Sequence, residues 1–243
     1  MNKKREKPRH APMKQFAERQ NELCIGGRTL TSLAQEIGST PFYAYDKDVM
    51  SEQVVKLRDV FPNSLHLHYA IKANPMKDVV EYLAGLTDGL DVASAKELRT
   101  ALLTGIDPLR ISFAGPGKSD EDLTAAVESG VIINMESEGE MERIALLAAA
   151  AGKQPPVSIR VNPDFGVKAS GMQMGGGPKP FGVDAERVPN MLNELSKLPL
   201  TFMGFHIFCG SQNLRPEAII EAQSKTFELA FRLAESAPSP VRW

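Results

Sequence analysis

The stretch GLDVASAKELRTALLTGIDPLRISFAGPGKSDEDLTAAVESGVIINME, residues 89–136, contains the repeating unit from which the chain is built. Short β-rich apolar runs at 89–93, 111–114 and 131–136 alternate with longer segments of helical pattern. The helices carry readable starts. Ser94 with Glu97 predicts a capping box, Ser119 opens an acidic first turn, and Ser137 with Glu140, just past the stretch, predicts a second box.

Outward from this stretch the same pairing continues. Upstream, 41–46 (PFYAYD) and 65–73 (LHLHYAIKA) read as strands, and so do 157–162 (VSIRVN) and 201–209 (TFMGFHIFC) downstream. Pro75 after Asn74, and Pro216, occupy first helical positions. Strands that alternate with helices about every thirty residues predict a parallel α/β sheet. No glycine fingerprint of the dinucleotide-binding type follows the first strand, so a (β/α)8 barrel of the TIM type is favoured over an open, doubly wound sheet. Such a barrel takes about 250 residues when complete. Here there are about six clear βα units, and Val241-Arg242-Trp243 reads as the opening of a seventh strand. The expectation is therefore an incomplete barrel over 41–243, cut from a longer protein, preceded by an N-terminal tail and lead-in segment over 1–40.

Composition narrows the function classes. A net charge of −2 gives no reason to expect nucleic acid or an anionic membrane surface as partner. Cys24 and Cys209 are far apart and in no metal-ligand spacing, which suits a reducing cytoplasm and argues against a disulfide framework. No apolar run approaches the roughly 20 residues that span a bilayer. The basic first 14 residues have no apolar segment after them, so they read as a solvated tail and not as a secretory signal.

Strand alternation assigns faces. In 65–73, Leu65, Leu67, Tyr69 and Ile71 point to the covering helices, while His66, His68, Ala70 and Lys72 point into the barrel. The other inward sets are Gly89, Asp91 and Ala93; Ile132, Asn134 and Glu136; Ser158, Arg160 and Asn162; and Gly204, His206 and Phe208, followed by Gly210 and Ser211. Polar groups thus converge at the C-terminal ends of the strands, where barrel active sites are built. A lysine at the tip of an inward face is expected to be dry, and hence to pair, to lose its proton or to form a covalent bond; a desolvated lysine condenses with aldehydes. Each element also has a structural reading. Lys72 pairs with Glu97 or Asp91, Arg160 serves as an ion-pair partner, His206 is a bonded core histidine, Phe208 is packing, and Gly210-Ser211 is a turn or an anion cradle. Gly175-Gly176-Gly177-Pro178 lacks the Lys-Ser/Thr of a P-loop and reads as a lid or ordinary loop, with Met172 and Met174 as loop packing.

The segments Tyr69-Ala70-Ile71-Lys72-Ala73-Asn74, Leu90-Asp91-Val92-Ala93-Ser94 with Glu97, Gly115-Pro116-Gly117-Lys118, Arg160-Val161-Asn162-Pro163, Phe181-Gly182-Val183 and Gly210-Ser211-Gln212-Asn213-Leu214 resemble the fold-type III decarboxylases that use pyridoxal 5'-phosphate (PLP). That group includes the ornithine, arginine and diaminopimelate enzymes, and the likeness runs in order through nearly all of 40–237. The stretch from Gly171 to Gly182 is most similar to a subgroup associated with exosortase systems. The resemblance implies an alanine-racemase-like barrel and decarboxylation of an amino acid of the diaminopimelate or ornithine type. It implies Lys72 as the internal-aldimine lysine, Asp91 and Glu97 as acids beside it, Arg160 near the phenolic oxygen of PLP, and Gly210 and Ser211 at its phosphate. It also implies a homodimer and a separate C-terminal β domain, which contributes a catalytic cysteine and has no counterpart before Trp243. Where many members stack a histidine on the PLP ring, this chain has Phe208; His206 lies two residues earlier on the same face and is expected to take over the missing role, unless reaction control differs. Rival readings are a PLP-dependent racemase, a PLP-binding protein without decarboxylase chemistry, and an inactive fragment.

Overall fold

The structure is a computed structural model, which describes residues 14–166, 172–173, 180–211 and 215–243. The basic tail over 1–13, the glycine run 175–178, Met174, Gly171 and Gln212-Asn213-Leu214 lie outside these residues. The chain divides into two compact units, Met1–Leu65 and His66–Trp243.

In the first unit, β1 (Glu18–Arg19), β2 (Glu22–Ile25) and β3 (Arg28–Thr29) form an antiparallel sheet. Both connections are two-residue turns with positive φ throughout, Gln20-Asn21 and Gly26-Gly27, the geometry that matches strand twist. Thr29 caps α1 (Leu30–Ile37) and Asp46 caps α2 (Lys47–Arg58). The Asp46 carboxylate also accepts the Gly26 N–H at 2.7 Å. The strand expected over 41–46 does not form. Tyr43 is 90% exposed, so its aromatic β-propensity meets no packing partner and has nothing to act through.

The second unit contains a sheet of seven parallel strands among the described residues, of which six form its main wall: β4 (His68–Ala70), β5 (Gly89–Val92), β6 (Ile111–Phe113), β7 (Ile132–Met135), β8 (Pro156–Asn162) and β11 (Thr201–Ile207). Between β8 and β11 come β9 (Met172–Gln173) and β10 (Val183–Asp184), and β12 (Gly210–Ser211) follows β11. The order along the sheet is β4-β5-β6-β7-β8-β11, with β10 hydrogen-bonded beside the C-terminal end of β8. Order in the sheet thus equals order in the sequence. A doubly wound sheet reverses direction at a switch point, whereas a barrel wall does not. Helices α3 (Lys77–Ala84), α4 (Ala95–Leu102), α5 (Asp120–Ser129), α6 (Glu138–Ala151), α7 (Val188–Leu195) and α8 (Pro216–Ala234) make the crossovers. The core between sheet and helices is built from Ile71, Leu90, Phe113, Ile133 and Ile159, all fully buried. None of the described helices is long and apolar enough to cross a membrane.

Several boundaries differ from the sequence expectation. The first barrel strand stops at Ala70, and Ile71–Ala73 form a 3-10 turn that carries Lys72 beyond the sheet. Helix α3 starts at Lys77 and not at Pro75, because the Asn74 side chain accepts the Met76 N–H and holds a turn there. Ser94, Ser119 and Ser137 all accept the N–H three residues on, yet only Ser119 with Asp122 closes a reciprocal box. Glu97 and Glu140 reach one residue further back, to the N–H groups of Ala93 and Glu136. Pro216 opens α8 as expected.

At the outer edge of β11 the final residues do not form the strand that Val241-Arg242-Trp243 were expected to open, but they lie against β11 through three backbone hydrogen bonds. Arg242 and Trp243 donate their N–H groups to the Met203 carbonyl at 2.8 and 3.0 Å, and the Trp243 carbonyl accepts the Phe205 N–H at 3.2 Å. Met203 is the extra residue of a β-bulge, which turns its carbonyl outward. Gly204 has no side chain because one would run into the Trp243 carbonyl. The Trp243 indole packs edge-on against His68, with ring centroids 4.9 Å apart.

Candidate active site

Across the barrel interior, side chains from neighbouring strands are hydrogen-bonded in layers. In the lower layer, Ser158 of β8 donates to Asn134 Oδ1 of β7, and Asn134 Nδ2 donates to Ser112 Oγ of β6 at 2.7 Å. All three are buried, so each group has to find its partner inside the protein. One step higher, Arg160 Nη1 meets Glu136 Oε1 at 3.0 Å, with the two side chains 11% and 3% exposed. The Arg160 guanidinium also stacks on Phe181, 4.6 Å from its centroid, so that one of its faces is covered.

Above these layers, at the C-terminal ends of the strands, a cavity of about 590 Å³ opens. Its walls bring together Lys72, Asp91, Glu97, Arg160, His206, Phe208 and Ser211, all of which the strand alternation or the family resemblance had placed there. Gly210 is the β12 neighbour of Ser211 and pairs with Gln173 of β9. A second cavity, of about 740 Å³, lies on the other side of His206 between β11, α8 and Trp243; it is lined mainly by Phe205, Phe227, Phe231 and other apolar groups and lacks the amine and guanidinium.

The expected desolvation of Lys72 is not found. The side chain is exposed and, among the described residues, makes no hydrogen bond or ion pair. The strand ends two residues before it, so the ε-amino group stands at the mouth of the cavity and not among the packed layers. The alternative pairings of Lys72 are also absent. Asp91 faces His68 Nδ1 at 3.2 Å, and Glu97 accepts the Ala93 N–H at 2.7 Å. Arg160 answers Glu136 and not an acid shared with Lys72.

His206 lies in register with Arg160 on β11, and its Nδ1 is enclosed without a hydrogen-bond partner among the described residues. Burial pushes the ring down from 6.5 to about 4; the Arg160 charge adds to this, and Asp91 and Glu136 oppose it. The unfolded chain therefore binds a proton that the folded chain refuses. The stabilisation by a neutral ring is complete above pH 6.5 and is lost as the pH falls towards about 4. The whole effect is at most about 3 kcal/mol. His206→Gln is expected to flatten this limb when urea midpoints are compared between pH 7 and pH 4; an unchanged slope would refute the buried neutral ring.

Two contributors are not singled out by the sequence: Glu136 lies on the inner face of its strand with no distinguishing motif, and Phe181 belongs to the segment Phe181-Gly182-Val183. Their signal is tertiary: Glu136 accepts from backbone groups of two loops, and Phe181 comes from the excursion after β8. The residues present suit PLP. An amine, a guanidinium and a hydroxyl surround ring faces from Phe208 and Phe181, and an unpartnered imidazole nitrogen is enclosed alongside.

The sequence profile described as "Pyridoxal-dependent decarboxylase, pyridoxal binding domain" matches residues 47–238. Diaminopimelate decarboxylase from Aquifex aeolicus is 38% identical over 218 residues, which are 87% of this chain and 50% of that protein. L-glutamyl-[BtrI acyl-carrier protein] decarboxylase from Niallia circulans is 34% identical over 208 residues, 85% of this chain and 48% of that one. Among solved structures, diaminopimelate decarboxylase from Helicobacter pylori complexed with L-lysine superposes with a TM-score of 0.74 at 33% identity, covering 84% of this chain and 52% of that chain. The chain spans about half the length of the curated relatives it matches.

Proposed function

The chain belongs to the pyridoxal-dependent decarboxylases, and from that membership we propose that it serves the PLP-dependent decarboxylation of an amino acid of the diaminopimelate or ornithine type. The observation that carries this reading is the single cavity wall shared by Lys72, Arg160, Ser211 and Phe208 at the ends of the barrel strands. PLP, when bound, supplies the electron sink that accepts the negative charge left at the α-carbon as CO2 departs.

The chain's own residues divide the remaining work. Lys72 would offer the amine to the cofactor aldehyde, and its exposed place beside the cavity leaves it reachable. Arg160 supplies a fixed positive charge beside the ring site, and Ser211, with Gly210, offers donors to the phosphate. Asp91 and Glu97 place negative charge on the Lys72 side of the cavity. Phe208 provides a ring face for stacking but neither donates nor accepts a proton. His206, held neutral, takes the polar part of that role through its free nitrogen and does not act as an imidazolium at neutral pH. The partner in this reading is a small-molecule amino-acid substrate, and the working form is a cytoplasmic homodimer.

Release of labelled CO2 from carboxyl-labelled diaminopimelate, ornithine and other amino acids, with PLP present, tests the proposal. Cofactor binding without CO2 release from any of them would favour a racemase, a PLP-binding protein or an inactive fragment instead.

A further inference from the structure

We propose that Glu136 is the positioning residue of this site: its buried carboxylate aims the Arg160 guanidinium into the cavity and at the same time joins the two loops that form the cavity wall. The inference rests on the proposed function for what Arg160 serves, but its geometry stands apart from it. Glu136 follows β7 directly and is buried. Its Oε1 accepts from Arg160 Nη1 at 3.0 Å and from the Gly115 N–H at 2.6 Å, and its Oε2 accepts from the Gly182 N–H at 2.9 Å. One carboxylate therefore gathers three donors from three elements: the loop after β6, strand β8, and the segment entering β10.

The partners are built to allow this. Gly182 has a φ of 76°, and a Cβ there would lie 2.9 Å from the Arg160 carbonyl and 3.1 Å from the Asn162 nitrogen. Only glycine lets that backbone come close enough to give its N–H to Glu136. The next residue back, Phe181, then covers the far side of Arg160. The carboxylate thus holds the guanidinium directly and also holds the loop that brings the ring against it. From below, the Glu136 N–H is fixed by Glu140 Oε2 at 2.7 Å, so the clamp is anchored at both ends.

A glutamine cannot replace this group. All the neighbours of the two oxygens are donors, so an amide NH2 has to face one of them, whichever way it turns. Glu136→Gln is therefore expected to free Arg160 while leaving the apolar core in place. The first readout needs no cofactor: modification by phenylglyoxal, mapped residue by residue. Arg160 should react at least about tenfold faster in Glu136→Gln than in the unmodified chain, while Arg99, exposed on α4, keeps its rate. The second is a double-mutant cycle in PLP affinity with Arg160→Lys. A residue acting through Arg160 gives strongly non-additive losses, whereas a merely structural one gives additive losses.

An unchanged Arg160 rate, or additive losses, overturns the proposal. If Glu136→Gln accelerates every arginine, the variant has unfolded, and the unmodified chain decides. There, Arg160 must react at least about tenfold more slowly than Arg99, and the Gly115 and Gly182 amides must be protected from exchange like those of β7. Fast reaction or exchange at these sites overturns it. Selective release of Arg160 in a chain that fails to bind PLP would uphold the clamp and remove the cofactor reading instead.

Discussion

Borohydride added to the chain after incubation with PLP is expected to fix a pyridoxyl group on Lys72, and Lys72→Ala is expected to carry none there. Exposure of the amine makes the design of this experiment important. Any solvent-facing lysine, such as Lys56 or Lys197, condenses with an aldehyde at high concentration. Under the proposed function, what would distinguish Lys72 is the cavity wall it shares with Arg160, Ser211 and Phe208, which would hold the rest of the cofactor. Holding two reactants together multiplies their effective concentration. Label should therefore saturate at Lys72 at PLP concentrations at least about a hundredfold below those needed for the surface lysines. Lys72→Arg, which keeps the charge but cannot condense, should retain reversible binding and lose the label. A pyridoxyl group spread evenly over the lysines, as read by peptide mapping, would show that the cavity contributes nothing.

The second large effect concerns stability. Lys118 and Glu140 form an ion pair of 2.9 Å whose side chains are only 1% and 6% exposed. The ammonium also donates to the Gly115 and Asn134 carbonyls at 2.6 and 3.0 Å. Every donor direction of Lys118 is thus used, and the loop after β6 is tied to β7 and α6. Lys118→Met leaves the Glu140 carboxylate buried without its counter-ion, a loss that costs about 3–5 kcal/mol. With a urea slope of about 1–3 kcal/mol per molar, the unfolding midpoint should drop by on the order of 1–5 M. The double variant Lys118→Met/Glu140→Met should recover a large part of this, since no charge is then stranded. A single variant as stable as the unmodified chain would mean that water reaches the pair.

Period-two alternation was enough to place Ala70, Asp91, Arg160, His206 and Phe208 on one inner wall, because each strand shows its neighbours' spacing in its own residues. The succession of strands and capped helices likewise made the parallel sheet readable. Alternation fails where a strand stops. Nothing local in Ala70-Ile71-Lys72 announces the change from extended chain to a 3-10 turn, and that change moves Lys72 from a dry position to an exposed one. The same limit explains Glu97 and Glu140, whose spacing from serine suggested reciprocal boxes while their carboxylates bond one residue earlier. Glu136 was illegible for a different reason. Its meaning lies in N–H groups of Gly115 and Gly182, which are distant in sequence and meet only when the loops have folded.

The serine–asparagine–serine row beneath the cavity has a polarity of its own. Ser158 spends its proton on the Asn134 oxygen, and Asn134 spends one on the Ser112 oxygen, so hydrogens run one way, from β8 to β6. Ser112 stands last in that line and lines the cavity with its own hydroxyl hydrogen still uncommitted to the row. A single amide thereby leaves Ser112 able to donate to whatever rests against it; turned end for end, the same amide would claim that hydrogen and leave only lone pairs.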